Sequence, residues 1–110
     1  MASIFEATAG SAIGPTNGGT VTQATNKGTA VTLNTESGQI TMAGAELAGA
    51  AEVTFQVNND KIAATDVVVV NHSSAGTAGS YLVQANSIAA GSFAITVANV
   101  GSTASEAIVL

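Results

Sequence analysis

The stretch Glu52-Val53-Thr54-Phe55-Gln56-Val57 alternates polar and apolar residues without a break. Successive side chains on a strand point to opposite faces, so Val53, Phe55 and Val57 line a dry face and Thr54 and Gln56 a wet one. The same two-residue period recurs in short runs at 20–23, 30–34, 39–42, 80–87 and 92–97. Turn formers separate them, as in Thr35-Glu36-Ser37-Gly38 and Asn58-Asn59-Asp60. With Thr65–Val70 and a closing apolar strand over Glu106–Leu110, this makes about eight short strands with turn signals every 8–12 residues or so, the pattern of an all-β sandwich or barrel. The one helical candidate, Ala43–Ala51, contains Gly44 and Gly49 and supports at most a single turn.

Two segments depart from simple alternation. Val67-Val68-Val69-Val70 is a continuous β-branched run, which disfavours helix and implies a strand covered on both sides. Such a strand is either central in the sandwich or has its second face against another subunit, in which case Val68 and Val70 are the expected interface residues. Residues 1–18 show no sustained period and carry Gly10, Gly14, Pro15, Asn17 and Gly18. They read as an extended N-terminal arm ahead of a β domain at 19–110, with Ile4 and Phe5 as expected partner-binding residues.

Composition narrows the function. The chain has 110 residues, enough for one domain. Only 8% are charged, against roughly 25% in an average soluble protein. Lys27 and Lys61 are the only cations and the net charge is −5, so no basic footprint for nucleic acid exists. There is no Cys and no Trp, and aromatics make up 4%, which excludes disulfide scaffolds, Cys-type zinc sites and base-stacking surfaces. No run approaches the roughly 20 apolar residues of a membrane helix. The opening Met1-Ala2-Ser3-Ile4-Phe5-Glu6 lacks the basic region and apolar core of a secretory signal, so the protein is expected to stay where it is translated unless an assembly carries it out. A core of Val, Ile and Ala with Phe5, Phe55, Tyr81 and Phe93 as its whole aromatic set is thin, and oligomerisation is the expected remedy.

No chemistry-bearing constellation stands out. His72 is the only histidine, with no H-x-x-x-H spacing, and is expected to cap the valine strand or face a loop. His72-Ser73-Ser74 lacks a nucleophile elbow. The acids Glu6, Glu36, Glu46, Glu52, Asp60, Asp66 and Glu106 form no calcium loop, and Asp60 and Asp66 flank Lys61 as solvated or paired groups. Gly76-Thr77-Ala78-Gly79 is followed by no Lys or helix start and is no phosphate cradle. Asn71-His72-Ser73 and Thr103-Ala104-Ser105-Glu106 are chance matches to a glycosylation site and a capping box. The expectation is therefore no catalytic residue, no metal, no cofactor and no small-molecule substrate.

Gly19-Thr20-Val21-Thr22-Gln23-Ala24-Thr25-Asn26-Lys27, followed by Val31-Thr32-Leu33-Asn34 and Gly38-Gln39-Ile40-Thr41-Met42, resembles a small structural domain of tailed bacteriophages. Val53-Thr54-Phe55 through Asn58, Ile62–Val68 and Ser105–Leu110 fit the same pattern, so the resemblance covers about residues 19–110. It implies an antiparallel jelly-roll-like β-sandwich, a homotrimer, and a place on the virion as a capsid decoration (cement) protein or a fibre knob. On that reading the partner is the major capsid protein and assembly takes place in the host bacterial cytoplasm. A knob normally follows a long shaft, which these residues do not show. The expected function is capsid decoration, with a receptor-binding knob as the alternative.

Overall fold

A computed structural model of the chain describes residues 18–110. The expectations for Ile4, Phe5 and the rest of the arm up to residue 17 lie outside the described residues. The strands are β1 (Gly19–Thr22), β2 (Val31–Thr32), β3 (Gly38–Thr41), β4 (Glu52–Asn58), β5 (Tyr81–Ala89) and β6 (Ser92–Asn99), with no helix among the described residues. Four strands form one sheet in the order β2-β4-β6-β5, and β1 pairs with β3 in a second. The fold is all-β with two sheets.

Alternation determines how the large sheet faces. In the β4–β6 register Val53 lies opposite Val97, Phe55 opposite Ile95 and Val57 opposite Phe93. On the other side of β6, Val83 pairs Val97 and Tyr81 pairs Asn99. These residues share one face, and Phe55, Val57, Ile95 and Val97 are almost wholly buried. Val31, Ile40, Met42, Leu47, Ile108 and Leu110 complete the core cluster. Gly38 is required where β1 meets β3, since a Cβ there would stand 2.6 Å from the Gly19 carbonyl oxygen.

The structure corrects several expectations. Among the described residues six strands form, not eight, and the pairing is mixed: β1–β3 and β2–β4 run parallel. The chain leaves the small sheet to make β2 and returns for β3, so β3 arrives in the direction of β1. Among the described residues the only tight hairpin is β5–β6, closed at Ala90-Gly91 with Gly91 at φ 88°. Two expectations hold here: Ala43–Ala51 forms no more than a turn at 49–50, with Leu47 bridging Ala104, and the capping-box match starts no helix. The closing stretch is extended and bonded on both sides without a continuous ladder. Leu110 and Ile40 exchange backbone hydrogen bonds (2.9 and 3.2 Å), and Val109 N–H donates to Ser74 (2.9 Å).

Val67–Val70 is the largest departure. It is not a strand, and among the described residues none of its backbone groups takes part in a hydrogen bond. β-branching sets an extended conformation, but a ladder also needs a neighbouring edge. Val68 and Val70 are half-buried, whereas Val67 is 88% and Val69 82% exposed.

Loops at the Asn99 end of the sheet are held by buried polar side chains. Lys27 is 2% exposed, and its ammonium donates to the carbonyl oxygens of Ala43, Ala45 (2.8 Å) and Glu106 (2.7 Å). Three N–H donors meet three acceptors. Gln23 Nε2 donates to the Lys27 and Thr29 carbonyls, while its Oε1 accepts from Ala43 N–H at 3.0 Å. Asn99 Nδ2 donates to Leu47 and Ser102, and its Oδ1 accepts from Gly101 N–H, each at 2.9 Å. Lys27→Met keeps the apolar stem and orphans three carbonyls. It is expected to cost about 3 kcal/mol or more, at about 1–3 kcal/mol per unsatisfied buried group. The readout is a lower urea midpoint at unchanged slope, and a midpoint equal to the parent's would refute the clamp.

Candidate functional site

The wet face of the large sheet is one candidate surface. Its cross-strand rows are Glu52–Ala98–Leu82, Thr54–Thr96–Gln84 and Gln56–Ala94–Asn86. Only Glu52 among them carries a charge. The hydroxyls and amides bond to one another: Thr54 Oγ1 lies 2.8 Å from Thr96 Oγ1, Asn86 Nδ2 donates to Thr96 Oγ1 at 2.9 Å, and Gln56 Nε2 donates to Asn58 Oδ1 at 2.7 Å. Polar atoms are thus partly satisfied within the face itself. Leu82 within the face and Val100 just past the end of β6 are exposed. A face with a single charge, at its Glu52 edge, can be covered by protein with little stripping of water from ions, and depletion of charge marks the cores of protein interfaces.

The valine segment is the second candidate. Parity along the extended chain sends Val67 and Val69 to solvent and Val68 and Val70 toward the core. The two expected interface residues are therefore the half-buried pair, and all four valines border a depression of about 440 Å³ between the segment and the sheet. The outward pair was missed. Its signal was present in the alternation, because two of four consecutive strand residues must face the opposite way.

A third cluster surrounds Tyr81. Its hydroxyl donates to Glu106 Oε1 at 2.6 Å, and Thr77 Oγ1 donates to Glu106 Oε2 at 2.9 Å. The His72 ring stands edge-on to Tyr81 with centroids 5.6 Å apart. His72 Nε2 donates to the Ser74 (3.1 Å) and Ala75 (2.5 Å) carbonyls, and Ser73 Oγ donates to Val109. The imidazole thus faces the following loop and is not paired with a hydroxyl. Ala75 and Gly76 both take positive φ in that loop, and a Cβ on Gly76 would stand 2.6 Å from Ile108 Cγ2. Nothing in the sequence spacing announces the Tyr81–Glu106 pair, 25 residues apart.

The remaining acids do not converge. Asp60 and Lys61 form an exposed ion pair at 3.9 Å, and Asp66 Oδ2 accepts from Ala63 N–H in its own turn. Among the described residues no three His, Asp or Glu side chains cluster as metal ligands would. Comparison with known proteins finds no matching family, no similar curated protein and no similar solved structure.

Electrostatics of the Tyr81 cluster sets its pH behaviour. Burial pushes the Tyr81 phenol up to about 12, helped by its hydrogen bond to Glu106. The hydrogen bonds from Tyr81 and then Thr77 hold the Glu106 carboxyl below its ordinary value, with burial opposing. Burial lowers the Lys27 ammonium, and the charge of Glu106 works against that shift. A carboxylate with a lowered pKa stabilises the fold above its unfolded value near about 4.3, and that contribution fades as pH falls through the folded value. A phenol with a raised pKa stabilises below its unfolded value near about 10 and loses the contribution as pH climbs toward 12. Melting curves across pH should show both slopes. Glu106→Gln is expected to flatten the acid limb and Tyr81→Phe the alkaline one; limbs identical to the parent's would remove the pair from the fold's stability.

Proposed function

We propose that this chain is a structural protein of a phage virion: a homotrimeric capsid decoration (cement) protein that stabilises the head shell by binding the major capsid protein. The observation that carries the reading is the valine segment. It offers Val67 and Val69 nearly fully to solvent on a backbone with no hydrogen-bond partners among the described residues. Covering such a residue is worth about 1.5–3 kcal/mol, and an unpaired apolar edge is an aggregation hazard unless something covers it. Three copies meeting around this segment would cover it in each. The uncharged sheet face suits lateral contact with other protein, and the resemblance of residues 19–110 to phage structural domains points the same way. A jelly-roll-like sandwich of about eight strands belongs to this proposal, with Val67–Val70 and Ile108–Leu110 gaining full ladders in the assembly.

Ile4 and Phe5 fit as the capsid-gripping part of the arm. They stand 14 and 13 positions before Gly18, a reach of up to about 50 Å at roughly 3.3–3.6 Å per residue, comparable with the 47 Å long axis of the domain. Three such arms on one trimer bind together far more tightly than each alone. No enzymatic step, cofactor, nucleic acid or membrane enters this mechanism. A receptor-binding knob is the second reading, favoured by the exposed loop Ser73–Gly79, which with His72 and Tyr81 lines a cavity of about 270 Å³.

Sedimentation of the purified chain is expected to give a trimer. Val67→Asp with Val69→Asp should give a folded monomer with an unchanged circular dichroism spectrum. Ile4→Ser with Phe5→Ser should leave the trimer intact and abolish attachment to undecorated shells. A monomeric parent, or attachment unaltered by the arm substitutions, overturns the decoration reading. Binding of the isolated trimer to host cells or glycans selects the knob.

A further inference from the structure

The loop that leads into β5 is attached to the domain at two places. Its start is laced to the closing stretch, where Ser73 N–H donates to the Val109 carbonyl at 2.7 Å and Val109 N–H to that of Ser74 at 2.9 Å. Its tip rests on residues 106 and 108. Thr77 Oγ1 donates to Glu106 Oε2 at 2.9 Å. Gly76 approaches so closely that an added Cβ would stand 2.6 Å from Ile108 Cγ2 and 3.3 Å from the Glu106 carboxyl carbon. Ile108 under the tip is wholly buried, and so, nearly, is Tyr81, which shares the loop's cavity of about 270 Å³.

The two attachments differ in kind. Backbone bonds at Ser73 and Ser74 carry no titratable group. The bond from Thr77 ends on a carboxylate, and a charge-assisted hydrogen bond is roughly twice as strong as a neutral one. Backbone conformation works against the tip, since Ala75 takes φ 61°, in the left-handed region that is unfavourable for alanine. Glu106 is faced from three elements. Tyr81 on β5 donates to its Oε1 at 2.6 Å, the His72 imidazole attracts it when protonated, and the Lys27 ammonium holds its backbone carbonyl at 2.7 Å. Tyr81 and Lys27 already carry their protons, so acid adds one only to His72 or to Glu106. Protonating His72 places a hydrogen on Nδ1 and leaves the Nε2 bonds to Ser74 and Ala75 intact. Protonating Glu106 removes the charge that Thr77 binds.

We propose that Glu106 is an acid-released latch on this loop: its carboxylate holds Gly76 and Thr77 closed over Ile108 and Tyr81, and protonation lets residues 75–79 swing out and uncover them. The bonds from Tyr81 and then Thr77 hold the carboxyl below its ordinary value. The closed loop is therefore favoured above the unbonded value near about 4.3 and is lost as pH falls through the lowered one. The Lys27 clamp uses the backbone carbonyl of residue 106, and the β4–β6–β5 pairings do not involve the loop, so the latch opens with the rest of the fold in place. The proposal rests on neither the decoration nor the knob reading.

The chain has no cysteine, so Ala78→Cys carries a nitroxide at one exposed position of the full-length protein. Its spin-resonance spectrum is expected to be immobilised at neutral pH. A mobile component should grow below the ordinary carboxylate value by up to about tenfold per pH unit, the slope of a single proton. Glu106→Gln should be mobile at neutral pH and insensitive to acid. Thr77→Val should behave likewise, and Thr77→Ser should keep the parent's response. Circular dichroism should stay constant through the transition. A label that remains immobile in acid, or in Glu106→Gln at neutral pH, overturns the latch. So does mobility that appears only as the circular dichroism signal is lost. A pH response that survives Glu106→Gln and vanishes in His72→Gln gives the sensor to His72 and overturns the assignment to Glu106.

Discussion

The Lys27 ammonium, enclosed by the carbonyls of Ala43, Ala45 and Glu106, holds together the part of the molecule that the sheets do not. A buried charge is expensive unless every donor is matched. Here three segments distant in sequence each bring an acceptor, so removing any one leaves the other two around an incompletely solvated cation. Gln23 binds the Lys27 carbonyl and Ala43 N–H, and so fixes the backbone on both sides of the clamp. Glu106 joins the clamp through its backbone and reaches Tyr81 and Thr77 through its carboxylate. One end of the sandwich is thereby closed by a continuous polar network, in a chain with only two cations.

The opposite end is built differently. The β4–β6 register puts Val57 and Phe93 at the far end of the sheet from Asn99, and both line the large cavity. Among the described residues no buried polar side chain ties the loops there. Asn59 Nδ2 donates to Thr35 at 2.8 Å, and Asp60 N–H to Asn34 Oδ1 at 2.9 Å, both toward the surface. Closure at that end depends on apolar contact, around a depression of about 440 Å³.

What the sequence made legible follows the range of the interactions involved. Glu52–Val57 and Ser92–Val97 were readable because a half-buried strand repeats every two residues and needs no knowledge of its partner. Both form where expected, and their outward Thr, Gln and Ala residues make the uncharged face. The valine run failed for the complementary reason: four β-branched residues specify an extended backbone, but whether an edge lies within reach depends on the path of the other strands. The parallel pairings of β1 with β3 and β2 with β4 were equally hidden, since alternation carries no direction. Lys27 in Asn26-Lys27-Gly28 reads as an ordinary exposed turn cation. Only the return of Ala43–Ala45 and Glu106 to the same point makes it a buried one.

The parity of Val67–Val70 then separates two kinds of demand that a single apolar run would otherwise confuse. Val68 and Val70 face the cavity, and Val70 packs against the core cluster, so their contacts are with the fold. Val67 and Val69 border the same depression but are 88% and 82% exposed. A polar residue at 68 should therefore lower the stability of the isolated subunit, whereas one at 67 should leave subunit stability nearly unchanged and act on association alone. One stretch of four similar residues thus carries a requirement of the fold at 68 and 70 and, on the proposed trimer, one of association at 67 and 69.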